Sequence, residues 1–195
     1  MSHYMTNMRK NSKHLSFYAI IELAMTTNRL NADFYQNDAL SAAKALCGMI
    51  LCVRQPDGSI LRKRITETEC YLGENDTACH AHHGRTARTD VMYKRGGVAY
   101  VYLCYGMHNM LNIVTGPENH PQAVLIRGVE GFPGPGRVTK VMGIGRDLNA
   151  VSFTESDLIW LEDDGTRPQI KATPRIGISY ASEEDQARLW RFIVN

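Results

Sequence analysis

The sequence has little of what marks several common classes of protein. Its net charge is only +2, so the molecule as a whole is not a polycation, and affinity for a polyanion has to come from a local patch. No stretch approaches the roughly twenty apolar residues of a membrane-spanning helix. Repeats and low-complexity linkers are also lacking. The sequence therefore predicts a soluble globular protein. Its content of 44% hydrophobic and 22% charged residues is typical of that class.

Cysteine is scarce as well. The five cysteines are odd in number, have no CxxC spacing and lie mostly in apolar runs, which is typical of reduced, buried thiols in an intracellular protein. Near the amino terminus, "LSFYAIIELAM" is interrupted by Glu22 and has no clean cleavage site after it, so it fits a secretory signal poorly. Its apolar spacing favours a short amphipathic helix. We predict that residues 1–32 form an amino-terminal extension, and that residues 33–195 form one domain.

The order of local patterns predicts the fold class. "DALSAAKALCGMIL" predicts a helix that opens at Asp38 and stops at Gly48. "QPDG", between "MILCVR" and "SILRKRITETECYL", predicts a hairpin. Further strands are predicted at "GGVAYVYLCYGM" continuing towards "MLNIVT", and at "QAVLIRGVEG", "SDLIWLED", "RIGISYA" and "RLWRFIVN". "GPGRVTKVMGIG" predicts a short helix. Because helices and strands do not alternate, we expect an α+β fold, with a curved, largely antiparallel sheet flanked by short helices.

"TETECYLGENDTACHAHHG" concentrates titratable groups in one short span. If its beginning is extended, alternate side chains share a face. Two carboxylates on one face repel, so one of them should have a raised pKa and become a usable general base near neutral pH. The competing interpretation is a solvated face on which the basic residues 62–64 form salt bridges with the glutamates. The side chains predicted to share the face are Ile65, Glu67, Glu69 and Tyr71.

"CHAHH" raises the alternative of a zinc hydrolase. Zinc sites usually take ligands in separated pairs, so that the chain can fold round the ion. Here the four candidate ligands occupy five positions, and no second pair stands elsewhere in the sequence. A single loop histidine that binds a partner is therefore favoured over a metal centre. The candidate ligands are Cys79, His80, His82 and His83.

The segment "AYVYLCYG" carries three tyrosines on or near one strand. Aromatic strands are most often core, but tyrosines on both faces of a strand cannot all be buried on one side. Exposed aromatics could stack on a nucleic-acid base, and basic residues around this region could track phosphates. "GPGR", residues 134–137, could bring backbone N–H groups at a helix start close to a phosphate. The tyrosines are Tyr100, Tyr102 and Tyr105, and the basic residues are Arg62, Lys63, Arg64, Arg85, Arg88, Lys94 and Arg95.

Taken in order, these segments resemble the alkylpurine (3-methyladenine) DNA glycosylases of the alkyladenine type. The matching blocks are "DFY", "RITETECYLGENDTACHAHHGRTARTDVMY", "AYVYLCYGMHNMLNIV", "AVLIRGVEG", "GPGRVTKVMGI" and "RIGISYA…WRFIV". They extend from about Asp33 to the carboxyl end, so the resemblance implies that residues 33–195 are a glycosylase domain. It also implies an enzyme that flips damaged purines out of double-stranded DNA and removes them.

The resemblance implies a role for individual positions. Glu69 matches the general base that activates water, and Arg127 matches the arginine that helps to position it. Tyr105 matches the side chain that enters the duplex. The remaining matches, Tyr71, His80, Tyr102 and Asn112, line the base pocket. The candidates for contact with the DNA backbone come instead from the basic residues and the "GPGR" turn described above, and they are Arg88, Gly134, Gly136 and Arg137.

The implied reaction is a single hydrolysis that leaves an abasic site. Because no lysine occupies a pocket-lining position, a Schiff-base lyase step is not indicated. We expect no metal or organic cofactor, double-stranded DNA with damaged purines as partner, no membrane association, and a monomer. One departure is "VEGFPGPG", where family members carry a longer charged stretch between "VEG" and "GPG". That shortening leaves a rival hypothesis, a lesion-binding protein of the same fold with weak or lost catalysis.

Overall fold

The computed structural model of the protein describes residues 29–195. The predicted amphipathic helix near the amino terminus, and the extension up to residue 28, lie outside these residues. The start of the described part contacts the domain, since Arg29 pairs with Glu162 in an isolated bridge and its Nη2 donates to the Phe153 carbonyl at 2.7 Å. Within the described part, no helix is long and apolar enough to cross a membrane.

Nine strands form one sheet in which all pairings between described strands are antiparallel. The main path runs β3-β4-β5-β2-β1-β7, while β6 pairs with β5, and β9 pairs with both β2 and β8. The α+β prediction with an antiparallel sheet is therefore confirmed. The strands are β1 (Ile50–Arg54), β2 (Ile60–Tyr71), β3 (Ala99–Cys104), β4 (His108–Val114), β5 (Ala123–Val129), β6 (Phe132–Pro133), β7 (Ile159–Glu162), β8 (Ile170–Thr173) and β9 (Arg191–Val194).

Within residues 29–195, three α-helices accompany the sheet, α1 (Ala39–Leu46), α2 (Pro135–Met142) and α3 (Glu183–Ala187). Helix α1 begins where predicted, because the Asp38 carboxylate accepts from the backbone N–H groups of Leu40 and Ser41 and thereby caps it. Its Ala and Leu face is fully buried against β2 and β5. Helix α2 packs on β4 and β5. It ends at the left-handed Gly143, as the glycine in the sequence predicts.

The long strand β2 connects the two sides of the sheet. Its first half pairs with β1 across the predicted hairpin, and its second half pairs with β5 and β9. Register shifts between Ile65 and Thr68 mark a bulge where the partner changes. A bulge inserts an extra residue and reverses the alternation of side chains beyond it. The main core lies between the sheet and α1, and both Ile65 and Cys70 belong to it.

Two predictions about strands are wrong in detail. "GGVAYVYLCYGM" does not continue in one direction towards "MLNIVT", because the chain reverses at Tyr105 and Gly106 to form the β3–β4 hairpin. "RIGISYA" is not a strand, and residues 174–181 are irregular. Gly177 has a φ of 78°, a left-handed conformation that interrupts an extended strand. Strand β8, which pairs with β9, was not predicted from the sequence.

Candidate active site

The second half of β2 presents Glu67, Glu69 and Tyr71 on one face. Thr68 and Cys70 point to the opposite side, where the Thr68 hydroxyl donates to the Ala43 carbonyl of α1 at 2.8 Å and Cys70 lies in the core. The prediction that Ile65 shares the face of Glu69 is wrong, because the bulge reverses the alternation and leaves Ile65 in the core.

The Glu69 carboxylate is completely buried and held by three donors. Its Oε1 accepts from the backbone N–H of Ile176 at 2.8 Å, and its Oε2 accepts from the Tyr71 hydroxyl at 3.0 Å. Arg127 Nη1 lies 3.5 Å from the same Oε2. Burial raises the pKa of Glu69, because a charged carboxylate loses its hydration. Arg127, the Ile176 amide and Tyr71 oppose that shift in the pKa. The result is a carboxylate that is fixed in orientation and more basic than a free glutamate.

Glu67 has a different environment although it lies on the same face. Its Oε1 accepts from Arg127 Nε at 3.0 Å and from Arg191 Nε at 2.6 Å. From the sequence, repulsion between the two glutamates was expected to raise the pKa of one of them. The structure corrects the cause, because desolvation is the largest contribution to the raised pKa of Glu69, and Glu67 is a smaller one. Glu67 thus anchors Arg127 beside Glu69.

A cavity of about 440 Å³ opens beside Glu69 and Arg127, a volume typical of small-molecule sites. The loop that carries Ile176 closes one side of it, and the β3–β4 hairpin closes another. A smaller recess adjoins the same aromatic side chains and contains the buried Asn112 amide, whose Nδ2 donates to the Tyr100 carbonyl at 3.2 Å. The side chains shared by the cavity and the recess are Tyr71, His80, Tyr102 and Tyr180.

His80 lies at the centre of an aromatic cluster. Its ring packs edge-on against Tyr102 at 4.6 Å between centroids, its Nδ1 faces the Tyr100 hydroxyl at 2.9 Å, and its Nε2 faces Arg88 Nη2 at 3.2 Å. Burial, followed by the charge of Arg88, lowers the pKa of His80 to about 4. The ring is therefore neutral at physiological pH.

Tyr105 stands at the tip of the β3–β4 hairpin with 87% of its surface exposed. Its φ of 49° is uncommon for a bulky residue, and its side chain lies at the edge of the cavity. Leu103 and Met107 are exposed beside it. An exposed apolar tip of this size is a candidate contact surface.

Besides Arg88, the residues predicted to contact the DNA backbone are Gly134, Gly136 and Arg137, at the start of helix α2. Gly134 precedes α2 with a φ of 95°, and the first residue of the helix, Pro135, lines the cavity. A Cβ on Gly136 would approach the His108 ring to 2.9 Å, so close packing explains that glycine. Arg137 is exposed on the first turn. The residues predicted for catalysis and for the base pocket come together at the cavity or its recess. Tyr105 and Arg88 also line the cavity. Gly134, Gly136 and Arg137 line neither the cavity nor its recess.

Arg175 and its partner Asp76 were not predicted as site residues from the sequence. Both side chains are buried, and they are joined by two hydrogen bonds of 2.6 and 2.8 Å. The guanidinium carbon lies 4.9 Å from the Tyr71 ring centroid, and Nη1 donates to the Cys70 carbonyl at 2.9 Å. Arg175 thereby ties the loop that carries Ile176 to β2. No local pattern marks it, since its partners are about a hundred positions away.

The four candidate zinc ligands do not converge. Cys79 is buried and desolvation raises the pKa of its thiol to about 11, His80 faces Tyr100 and Arg88, and His82 Nδ1 faces the Glu74 carbonyl at 2.7 Å. Among residues 29–195, no group of three or more His, Cys, Asp or Glu side chains is placed to hold a metal ion.

A buried carboxylate on the wall of an open aromatic cavity is chemically able to act as a general base beside a flat ring that stacks on the aromatic side chains. The family model described as "Methylpurine-DNA glycosylase (MPG)" matches residues 33–133 and 131–195. The chain belongs to this family. The two matched segments meet at the shortened "VEGFPGPG" segment.

Similar proteins in other organisms carry related names. A Psychrobacter cryohalolentis protein is 45% identical over 72% of this chain and 80% of its own length. One from Methanocella arvoryzae is 43% identical, with 84% and 90% covered. One from Borreliella afzelii is 42% identical, with 83% and 93% covered. Each is named "Putative 3-methyladenine DNA glycosylase".

Proposed function

We propose that this protein is a DNA repair glycosylase that flips damaged purines out of double-stranded DNA and hydrolyses the N-glycosidic bond. Membership of the methylpurine-DNA glycosylase family and the names of its relatives support the activity. The observation that carries the proposal is the buried Glu69 carboxylate on the wall of an aromatic cavity of about 440 Å³. The substrate class is alkylated or deaminated purines.

In this proposal Glu69 is the general base. A water molecule attacks the sugar C1′ while Glu69 takes its proton, and the bond between C1′ and the purine nitrogen breaks with its electron pair leaving on the base. The products are a free purine and an abasic site. Positive charge develops on the sugar as the base departs, and a fixed carboxylate stabilises that charge. Arg127, tied to Glu67 and close to Glu69, holds the carboxylate and the water in position.

The aromatic cavity is the proposed site for the extruded base. Tyr71 and Tyr102 offer ring faces for stacking, and His80 forms part of the wall beside Tyr102. Alkylation of a ring nitrogen makes a purine cationic, hence a good leaving group and a partner for electron-rich rings. Asn112, in the adjoining recess, is proposed to disfavour normal guanine.

Tyr105 is proposed to enter the duplex and fill the space that the flipped nucleotide leaves, since its ring is exposed beside the cavity. Insertion of an apolar side chain offsets part of the cost of unstacking. Arg88, Gly134, Gly136 and Arg137 are proposed to contact the DNA backbone near the opening. A single copy of the chain suffices for this arrangement, so we propose a monomer.

A lyase step is not part of the proposal. A Schiff base needs an amine beside C1′, and within residues 29–195 the cavity is lined by arginine, glutamate and aromatic side chains but by no lysine. The proposed enzyme is therefore monofunctional. It requires neither a metal nor an organic cofactor for the hydrolysis.

The test is release of free base from duplexes that each carry one 3-methyladenine, 7-methylguanine, hypoxanthine or ethenoadenine. The parent protein should release at least one of these bases. Glu69→Gln should lower the single-turnover rate by about a thousandfold, the scale of general-base catalysis, and should leave binding of damaged duplex largely intact. Glu162→Gln, which makes the same change in the β7 strand, should behave as the parent.

Each alternative predicts a different result. A parent protein that binds damaged duplex but releases no base at high enzyme concentration and long incubation would favour a lesion-binding protein without catalysis. Equal loss of binding and release in Glu69→Gln would contradict the role of Glu69 as base. Stoichiometric zinc in the purified protein, with activity lost on chelation, would favour the metal hydrolase.

A further inference from the structure

Arg88 lies against the aromatic wall of the cavity. Its guanidinium carbon is 5.1 Å from the centroid of the Tyr102 ring, and its Nη2 is 3.2 Å from His80 Nε2. The side chain is exposed and lines both the cavity that contains Glu69 and the grooves outside it. A positive charge is thus placed on the two aromatic side chains proposed to contact the base.

The hydrogen bond to Arg88 fixes the state of His80. Arginine can only donate, so His80 Nε2 has to be the acceptor. The ring hydrogen then lies on Nδ1 and points to the Tyr100 hydroxyl, which is 2.9 Å away. A ring in this state is neutral, so Arg88, and not His80, carries the positive charge at this part of the wall.

The other arginines near the cavity are compensated. Arg127 is paired with Glu67 and Glu69, and Arg175 with Asp76. Arg88 has no ion pair with a carboxylate among residues 29–195, although Arg85 nearby pairs with Asp90. An uncompensated guanidinium repels a cation and also occupies part of the electron-rich ring that would attract one.

We propose that Arg88 is a specificity-determining residue, which biases the cavity towards purines that are uncharged in DNA and against purines that alkylation has made cationic. The inference rests on the proposed function and adds a charge preference to it. The Arg88 guanidinium lowers the attraction of Tyr102 for a cationic base, whereas a neutral base such as hypoxanthine meets no such repulsion.

The test compares two duplexes of the same sequence, one with 7-methylguanine, which is cationic as a nucleotide, and one with hypoxanthine, which is neutral. The quantity measured is the ratio of kcat/KM for 7-methylguanine to kcat/KM for hypoxanthine, in which general effects on DNA binding cancel. Arg88→Gln should raise this ratio about fivefold, the scale of one cation–π or like-charge interaction at a partly exposed site. Arg88→Glu should raise it further, and Arg88→Lys should leave it near the parent value.

Arg54→Gln is the control for loss of one positive charge, because Arg54 is exposed at the end of β1 and donates to the carbonyls of Asp157 and Gly58. It should leave the ratio unchanged. Equal falls for both lesions in Arg88→Gln, with an unchanged ratio, would overturn the inference and leave Arg88 as a DNA-backbone contact only. A parent protein that releases neither of these two bases would overturn this inference, and one that releases none of the four lesions would overturn the proposed function with it. Thermal melting of each variant checks folding.

Discussion

The two halves of strand β2 carry similar numbers of charged residues but place them in different environments. Before the bulge, Arg62 pairs with Glu162 at 3.2 Å and Arg64 with Asp164 at 2.7 Å, all four side chains remaining partly exposed. Beyond the bulge, Glu69 is fully buried. The same kinds of ion pair therefore occur in water on one side and in the protein interior on the other.

Burial, rather than residue type, decides what each carboxylate can do. Arg64 lowers the pKa of Asp164, as an opposite charge at the surface should. Desolvation raises the pKa of Glu69 although Arg127 lies beside it. Asp164, which pairs with Arg64 of the first half, is thus kept ionised, whereas Glu69 keeps a greater affinity for a proton. The bulge separates these environments within a single strand.

Removing Arg175, the buried cation that donates to the second half of β2, should have the largest effect on stability. Arg175→Met leaves Asp76 buried without its partner, and loss of one partner of a buried pair costs about 3–5 kcal/mol. The cost is measured as the free energy of unfolding in urea. Reversal of the defect in Arg175→Met with Asp76→Leu would identify the unpaired charge as its cause. A loss below about 1 kcal/mol in the single variant would contradict this account of the pair.

The next expected effect is on the pKa of Glu69, the proposed general base, because Tyr71 donates a hydrogen bond to its carboxylate. The hydroxyl donor stabilises the ionised carboxylate and so lowers its pKa. Tyr71→Phe should raise the pKa of Glu69 further. Because a general base works only when it is ionised, the acidic limb of the pH–rate profile should move to higher pH.

Tyr93→Phe is the matched control, since Tyr93 also donates to a glutamate, at 2.7 Å from Glu74 Oε1, but does not line the cavity beside Glu69. Its pH–rate profile should coincide with that of the parent. An acidic limb that moves to lower pH in Tyr71→Phe would contradict either the hydrogen bond or the role of Glu69.

Local sequence patterns could predict much of the fold. Strand β2, the hairpin at "QPDG", the capped helix α1 and the glycine that ends α2 all have short-range causes, and the structure contains each of them. The bulge could not be predicted in this way, because it results from the change of partner along β2. The sequence therefore indicated the right strand but placed Ile65 on the wrong face.

Less of the candidate site than of the fold could be predicted from the sequence. The resemblance indicated Glu69, and its role stays a proposal. Spacing placed Tyr71 on the same face, but it did not indicate the backbone amide that also holds the carboxylate. The amide of Ile176 is 107 positions from Glu69, and it lies in a segment whose apolar pattern favoured a strand. Arg175, next to it, resembles any basic surface residue until the fold places it between the Tyr71 and Trp190 rings. Contacts of this range depend on tertiary packing.

The smallest effect on the free energy of unfolding is expected in the first half of β2, where the ion pairs are exposed. Arg62→Ala breaks the pair with Glu162, but both groups can be hydrated again, so the free energy of unfolding should fall by about 0–1 kcal/mol. The difference between Arg62→Ala and the parent should shrink further in high salt, because exposed pairs are screened. Urea unfolding at low and at high salt measures both effects. A loss as large as that of Arg175→Met, insensitive to salt, would mean that the bulge does not separate a hydrated half of β2 from a desolvated one.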